Sequence, residues 1–186
     1  MKTLIINGSP REKGDTAFLI SALKERLCHE TLEISAYRDN ISPCVDCRAC
    51  QKKKGCAIKD KMQLIYEDDF DNVVIASPIY MSNLTPPLMS VVSRFQAYYC
   101  AKRFLKDGFT PKPKKSALIL VGGGDGEPGE ALRLSGWLFK NLNGTGHEEH
   151  TVLSLKTDDI PARRDAAAIR GIEKLARYLD GEQGAF

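Results

Sequence analysis

No segment of the chain is apolar for long enough to cross a bilayer. The uncharged run from Val73 to Ser93 is broken by Ser77, Pro78, Ser82, Asn83, Thr85, Pro86 and Pro87, a density of polar and proline residues that a spanning helix does not carry. Charge of one sign is also scarce. Lys and Arg number 27 and Asp and Glu 24, a balance of +3, too small to argue for a nucleic-acid partner. The opening MKTLIINGSPREKG has only a handful of apolar residues before a Gly-Ser-Pro turn, too few for a secretion leader, so the cytoplasm is the expected location. With no internal repeat and no low-complexity linker, the 186 residues are expected to form one domain. A chain of this size buries roughly 70% of its unfolded surface and needs neither disulfide nor metal merely to fold. That makes the cysteines conspicuous: four of the six lie between Cys44 and Cys56. In a reducing compartment such crowding points to metal or redox chemistry rather than to disulfides.

Three short runs are almost wholly apolar: Thr3 to Ile6, Val73 to Ala76 and Ala117 to Val121. Runs of this length read as parallel strands covered on both faces. Thr31 to Ala36 and His150 to Leu155 mix polar and apolar residues and suit the two edges of a sheet. Helical patterns lie between them at Thr16 to Leu27, Met62 to Phe70, Pro87 to Tyr98, Glu130 to Asn141 and Arg164 to Leu179; in the last, Ile169, Ile172, Leu175, Ala176 and Leu179 build one apolar face. The alternation predicts a three-layer α/β domain over residues 1–186 with a five-stranded parallel sheet, interrupted by a cysteine-rich insertion at about 40–61. With the mixed strands at the edges, the order is 2-1-3-4-5, the flavodoxin-like arrangement, whose ligand crevice lies between strands one and three.

The loops after the central strands are where that order puts a ligand. After strand one, Gly8-Ser9-Pro10-Arg11-Glu12-Lys13-Gly14-Asp15-Thr16 runs straight into a helix. A helix start offers unpaired N–H groups and a positive dipole end, and Ser9, Arg11 and Thr16 add further donors, so a phosphate dianion suits it. This loop is neither G-x-G-x-x-G nor G-x-x-x-x-G-K-[ST], which disfavours a dinucleotide fold or a P-loop NTPase. The plainer reading is a flexible turn with Asp15 or Thr16 capping the helix. After strand three, Ser77-Pro78-Ile79-Tyr80-Met81-Ser82-Asn83 carries stiffened backbone beside an aromatic ring, suited to a planar heterocycle. After strand four, Gly122-Gly123-Gly124-Asp125-Gly126 lets backbone approach a ligand closely.

Together, INGSPREKGDT, SPIYMSN and VGGGDGEPGE resemble the NAD(P)H-dependent FMN reductase branch of the flavodoxin-like superfamily, over Met1 to roughly Leu179. The resemblance implies an FMN oxidoreductase. Ser9, Pro10, Arg11, Asp15 and Thr16 would surround the FMN phosphate, Pro78, Ile79, Tyr80, Met81, Ser82 and Asn83 would line the isoalloxazine ring, and Gly123, Gly124 and Asp125 would meet its other edge. Where the family often has Asn before the Thr, this chain has Asp15, whose carboxylate weakens phosphate binding unless it points away or caps the helix. No side chain is needed as acid or base, and no catalytic residue is assigned. The resemblance also implies a homodimer or homotetramer.

Cys44-x2-Cys47-x2-Cys50-x5-Cys56 places four thiols within thirteen residues. Structural zinc usually uses separated pairs, whereas close-packed C-x2-C-x2-C runs wrap iron–sulfur clusters. The spacing and the following Ile58-Lys59-Asp60-Lys61-Met62 resemble iron-sulfur flavoproteins, which implies a [4Fe-4S] cluster held by Cys44, Cys47, Cys50 and Cys56. Redox thiols, adventitious metal and a merely structural loop are the alternatives. With a cluster, the protein would convert two-electron into one-electron transfer, from NAD(P)H or a ferredoxin-like donor to a small-molecule or protein acceptor. Lys52, Lys53, Lys54, Lys59 and Lys61 would offset a negative cluster, dock an acidic carrier or form a solvated surface. A non-enzymatic electron relay and a redox-sensing metal protein are the competing functions. Elsewhere, Cys28 and Cys100 are expected to be small buried residues, Trp137 to pack rather than stack on a flavin, His147 and His150 to lie on the surface, and the basic run Lys102 to Lys115 to be a solvated connection, the alternative being a contact for an NADPH phosphate or an acidic partner.

Overall fold

A computed structural model describes residues 1–106 and 110–181. Its strands are β1 (Lys2–Asn7), β2 (Glu30–Ser35), β3 (Asn72–Pro78), β4 (Lys114–Val121), β5 (Gly144–Thr145) and β6 (Thr151–Ser154), and its α-helices are α1 (Asp15–Lys24), α2 (Met62–Tyr66), α3 (Pro86–Ser93), α4 (Gln96–Phe104), α5 (Gly129–Asn141) and α6 (Ala166–Asp180). All pairings are parallel, in the order β2-β1-β3-β4 with β5 and β6 both on the far side of β4. This is the expected 2-1-3-4-5 order, with two short strands sharing the last position. β5 pairs with Lys114 and Lys115, β6 with Leu118 to Val121. Between them the chain bulges at Gly146, whose φ of +90° suits glycine and whose missing side chain makes room for the Tyr178 hydroxyl, which donates to the Thr145 carbonyl at 2.9 Å.

The central strands are apolar throughout because alternate residues feed two different cores. Leu4, Ile6, Val73, Ile75, Leu118 and Leu120 pack under α2 to α5 with Ile65, Phe70, Leu88, Val91, Phe95, Leu138 and Phe139. Ile5, Val74, Ala76, Ala117, Ile119 and Val121 pack under α1 and α6 with Leu19, Ile20, Leu23, Ile172, Leu175 and Leu179. Each large aliphatic side chain buried this way contributes about 1.5–3 kcal/mol. The residues sandwiched between two helix layers therefore fix the order of the sheet, and the sheet order fixes which loops meet.

Several local expectations are corrected. The pattern from Pro87 to Tyr98 is two helices, because α3 ends in short-range bonds at Arg94 and Phe95, and the Arg94 carbonyl accepts from the Tyr66 hydroxyl at 2.7 Å. α2 stops at Tyr66 instead of running to Phe70, since Asp68 is left-handed (φ 57°). Cys28 is exposed, whereas Cys100 is buried as expected. Trp137 is 49% exposed rather than packed. His147 and His150 are half-buried, their rings against Phe139 and Tyr178 respectively. Within the basic run, Lys114 is buried and bonded to Asp68 at 2.8 Å, and Lys115 donates to the Tyr178 carbonyl at 2.5 Å; residues 107–109 of that run lie outside the described residues. Among the described residues, no helix is long and apolar enough to cross a membrane.

Candidate functional site

Parallel strands end their carboxyl termini at one edge, so the loops after β1, β3, β4 and β6 are neighbours. A cleft of about 200 Å³ lies there, lined by Ser9, Pro10, Arg11, Gly14, Asp15, Thr16, Pro78, Ile79, Tyr80, Val121, Gly123, Thr157 and Asp158. It shares Arg11, Gly14 and Asp15 with a broader depression of about 630 Å³ running along α1 to Pro161 and Arg163. Nine residues predicted from sequence thus meet in one cleft: Ser9, Pro10, Arg11, Asp15, Thr16, Pro78, Ile79, Tyr80 and Gly123. Met81, Ser82, Asn83, Gly124 and Asp125 are not in its lining. The Tyr80–Asn83 segment is a tight turn closed by Tyr80 N–H to Asn83 O (2.8 Å) and Asn83 N–H to Tyr80 O (2.9 Å), with Met81 and Ser82 both left-handed at φ 49° and 63°. Met81 projects from the tip, 98% exposed.

The first loop is held from within. Asn7 Oδ1 accepts from the Ser9 N–H at 2.8 Å, and Ser9 Oγ bonds the Arg11 backbone at 3.2 Å. Gly8 runs tightly beneath the loop after β3: a Cβ there would meet Leu88 Cδ2 at 2.8 Å and Ser77 Oγ at 3.0 Å, and its carbonyl accepts from Thr85 Oγ1 at 2.8 Å. No side chain caps α1 at Gly14, which leaves its first-turn N–H groups available to an anion. The Asp15 carboxylate is drawn aside, accepting the Ala162 N–H at 2.7 Å. The cleft therefore offers a hydroxyl, a guanidinium and a helix start at one end and Pro78, Ile79 and Tyr80 at the other, a donor set that fits a phosphorylated planar cofactor. Thr157 and Asp158 were missed from sequence. Their signal was position alone, directly after the last strand, where the N–H groups of Thr157 and Asp158 bond the carbonyls of Gly122 and Gly123 at 3.0 and 3.1 Å.

A second concave site lies in the cysteine-rich insertion. Cys44, Cys47, Cys50 and Cys56 all line one pocket, joined by Cys100, Ile58, Arg94 and Gln96. Its interior is about 20 Å³, room for about one water molecule. Among the described residues no three His, Cys, Asp or Glu side chains stand close enough together to hold a metal ion. Burial, with Cys100 as hydrogen-bonding neighbour, pushes the Cys50 thiol up to about 12.

The insertion is anchored by Arg94, which the sequence reading missed. Its only signal was an arginine flanked by Val91, Val92 and Phe95, with Ser93 the one other polar residue among them. The side chain has no exposed surface and reaches Asp60 Oδ2 at 2.7 Å. Burial opposes its charge, but the hydrogen bonds to Asp60 hold the guanidinium's pKa above its ordinary value; the same contact, against burial, holds the Asp60 carboxyl below the usual carboxylate range. Arg94 Nε is buried without a hydrogen-bond partner. A cationic group with an unengaged N–H beside four thiols fits an anionic metal–sulfur group, as does the donor set itself.

The sheet order and the clustering of ligand-type loops at its carboxyl edge define a flavodoxin-like α/β protein. Among solved structures, an FMN-dependent NADH-azoreductase from Bacillus anthracis in complex with FMN superposes with TM-score 0.69 at 17% identity, covering 97% of this chain and 99% of that one. An NAD(P)H:quinone oxidoreductase from Methanothermobacter marburgensis gives 0.67 at 14% identity, covering 100% and 98%. At such identities the likeness establishes the fold. Residues 1–146 match the family described as NADPH-dependent FMN reductase, and the chain belongs to that family of oxidoreductases. It is 34% identical over 144 residues to an iron-sulfur flavoprotein of Archaeoglobus fulgidus, covering 75% of this chain and 71% of that one. It is 31% identical over 140 residues to an iron-sulfur flavoprotein of Methanocaldococcus jannaschii, covering 72% and 67%. Across five such relatives the matched segment spans 62–71% of their length.

Proposed function

We propose that this chain is an FMN-dependent oxidoreductase, passing electrons from NAD(P)H or a reduced ferredoxin-like carrier to a small-molecule or protein acceptor, with a [4Fe-4S] cluster held by Cys44, Cys47, Cys50 and Cys56. The observation that carries it is the convergence of the β1, β3 and β4 loops on one cleft. In this reading Ser9, Arg11, Thr16 and the α1 amides hold the phosphate, with Asp15 turned toward Ala162. Pro78, Ile79 and Tyr80 form the wall for the ring, while the Met81–Asn83 turn and Gly123, Gly124 and Asp125 flank its edges. FMN supplies the hydride chemistry, accepting two electrons and releasing them singly. The protein's part is to orient the ring and stabilise negative charge on it. The loop amides of Ile79, Tyr80 and Asn83 are engaged with Val121, Asn83 and Tyr80, so Met81 and Ser82 N–H are the amides assigned to that task. A homodimer or homotetramer would cover the open cleft beside exposed Met81 and Tyr80. The crowded thiols suit the reducing cytoplasm.

The test is the pair Arg11→Ala and Thr16→Val, with FMN binding followed by fluorescence quenching. Loss of charge-assisted contacts worth about 1.5–3 kcal/mol raises the FMN dissociation constant at least about tenfold. Unchanged affinity places the phosphate elsewhere. Rapid reduction of the bound flavin by NADPH supports an enzyme; inertness to it, with reduction by ferredoxin, supports an electron relay instead.

A further inference from the structure

A guanidinium has five N–H donors, and at Arg94 they divide unevenly. Nη1 donates to the Ser42 carbonyl at 2.9 Å and Asp60 Oδ2 at 2.7 Å; Nη2 donates to the Ile58 carbonyl and Asp60 Oδ1, each at 3.2 Å. Those acceptors sit immediately before Cys44 and just after Cys56, so one side chain ties together both ends of the cysteine-rich segment. Ser93, the preceding residue, adds to the clamp by accepting the Cys44 N–H on Oγ at 2.9 Å. Four donors are thus engaged, and the fifth, Nε–H, is buried with no partner. Arg94 lines the same pocket as Cys44, Cys47, Cys50 and Cys56. A fully buried cationic donor left unpaired is unfavourable in this state, and the pocket it lines brings together the sulfurs of Cys44, Cys47, Cys50, Cys56 and Cys100, with Asp46, Arg48, Gln51 and Gln96 as its polar lining.

We propose that Arg94 is the positioning residue of the iron–sulfur site: its four terminal N–H groups fix both ends of the cysteine loop, and its Nε–H is held for a sulfur atom of the loaded site. The inference rests on the cluster reading given above. It follows from what a cluster with four thiolate ligands needs, namely compensation of negative charge and hydrogen bonds to sulfur, which stabilise the reduced state and raise the potential. Lysine cannot substitute. It carries the charge but neither the planar fork that bridges Ser42, Ile58 and Asp60 nor a donor midway along the chain.

The experiment compares the anaerobically reconstituted wild-type protein with Arg94→Lys and Arg94→Gln, all carrying FMN. Iron retention is read by competition with a chelator, and the cluster potential by redox titration. Both variants should lose iron affinity about 10–100-fold and show a lower potential, with FMN content unchanged and no rescue by lysine. Folded, FMN-loaded variants that retain iron at the wild-type potential would overturn the assignment, as would rescue by lysine. A second measurement needs no variant: pulsed EPR of the reduced wild-type protein labelled at arginine nitrogen should show coupling to one arginine nitrogen, and absence of coupling removes the Nε–H bond. Wild-type protein that takes up FMN but no iron overturns the cluster reading itself, a result distinct from either failure above.

Discussion

Asp60→Ala isolates the anchor of the cysteine loop from its sulfur chemistry. The carboxylate accepts from Arg94 Nη1 and Nη2, from the Ser42 N–H at 3.2 Å and from the Met62 N–H at 3.1 Å. Its removal leaves the Arg94 guanidinium, without exposed surface, as an uncompensated charge. Breaking a buried pair costs about 3–5 kcal/mol. Asp60 is 11% exposed and the segment beyond Ser42 borders solvent, so the lower end applies, about 3 kcal/mol. For a chain of this size that lowers Tm by about 6–12 °C. Replacing both partners by apolar residues, Asp60→Leu with Arg94→Met, should recover most of the loss, since no charge is then stranded. The pH dependence has a defined sign. The folded Asp60 carboxyl is held below its unfolded value, so the pair's contribution is present at neutral pH and is lost as pH falls through the folded value, below about pH 4. The assay is urea unfolding followed by circular dichroism at pH 7 and at pH 3.5, with tryptic cleavage at Lys52, Lys53 and Lys54 as the local readout. A loss under about 1 kcal/mol at pH 7, with unchanged cleavage, would show that the pair does not hold the loop and refute the reasoning.

Two glycines, one beneath the cleft and one in its wall, should respond differently. Gly8→Ala drives a methyl against the buried Leu88 at 2.8 Å and should cost about 1–3 kcal/mol in urea unfolding. Gly123→Ala meets the exposed Asp158 carboxylate at 2.7 Å, which can swing aside, so stability should change by less than about 0.5 kcal/mol while FMN binding weakens. Leu118→Ala at the centre of the sheet, 1% exposed, should cost about 2–5 kcal/mol; a smaller value would mean the layer beneath α5 collapses into the space. Lys114, pushed below the ordinary lysine range by burial despite Asp68, binds its proton less tightly folded than unfolded. Its charge should therefore depress stability at neutral pH, and stability should rise as pH passes through the folded value toward the ordinary lysine range, about 10.4, an increase that Lys114→Met abolishes.

What could be read from sequence followed from local chemistry with a strong period. The runs at Leu4, Val73 and Ala117 are apolar on both faces because both faces are covered, and that alone orders the central strands. The loops after them were legible because Gly, Pro, Ser and Thr at strand ends have few other reasons to cluster. Contacts that depend on tertiary reach were not legible. At the break between α3 and α4 the Arg94 carbonyl accepts from Tyr66, 28 residues away along the chain. The two-part fifth strand depends on Tyr178 leaning over Gly146. Asp15 was expected near a phosphate, and the Ala162 amide that takes up its carboxylate lies 147 residues away. Arg94 was invisible for the same reason: a lone basic residue at the end of an apolar helix gives no hint of the loop that will close around it.

The most direct measurement is an anaerobic absorbance spectrum of the purified, reconstituted protein, with flavin, iron and acid-labile sulfide assayed on the same sample. The account predicts one FMN and about four irons and four sulfides per chain, all iron lost on substituting Cys44, Cys47, Cys50 and Cys56 while the flavin stays. Flavin without iron contradicts the cluster, and protein that takes up no flavin contradicts the central claim.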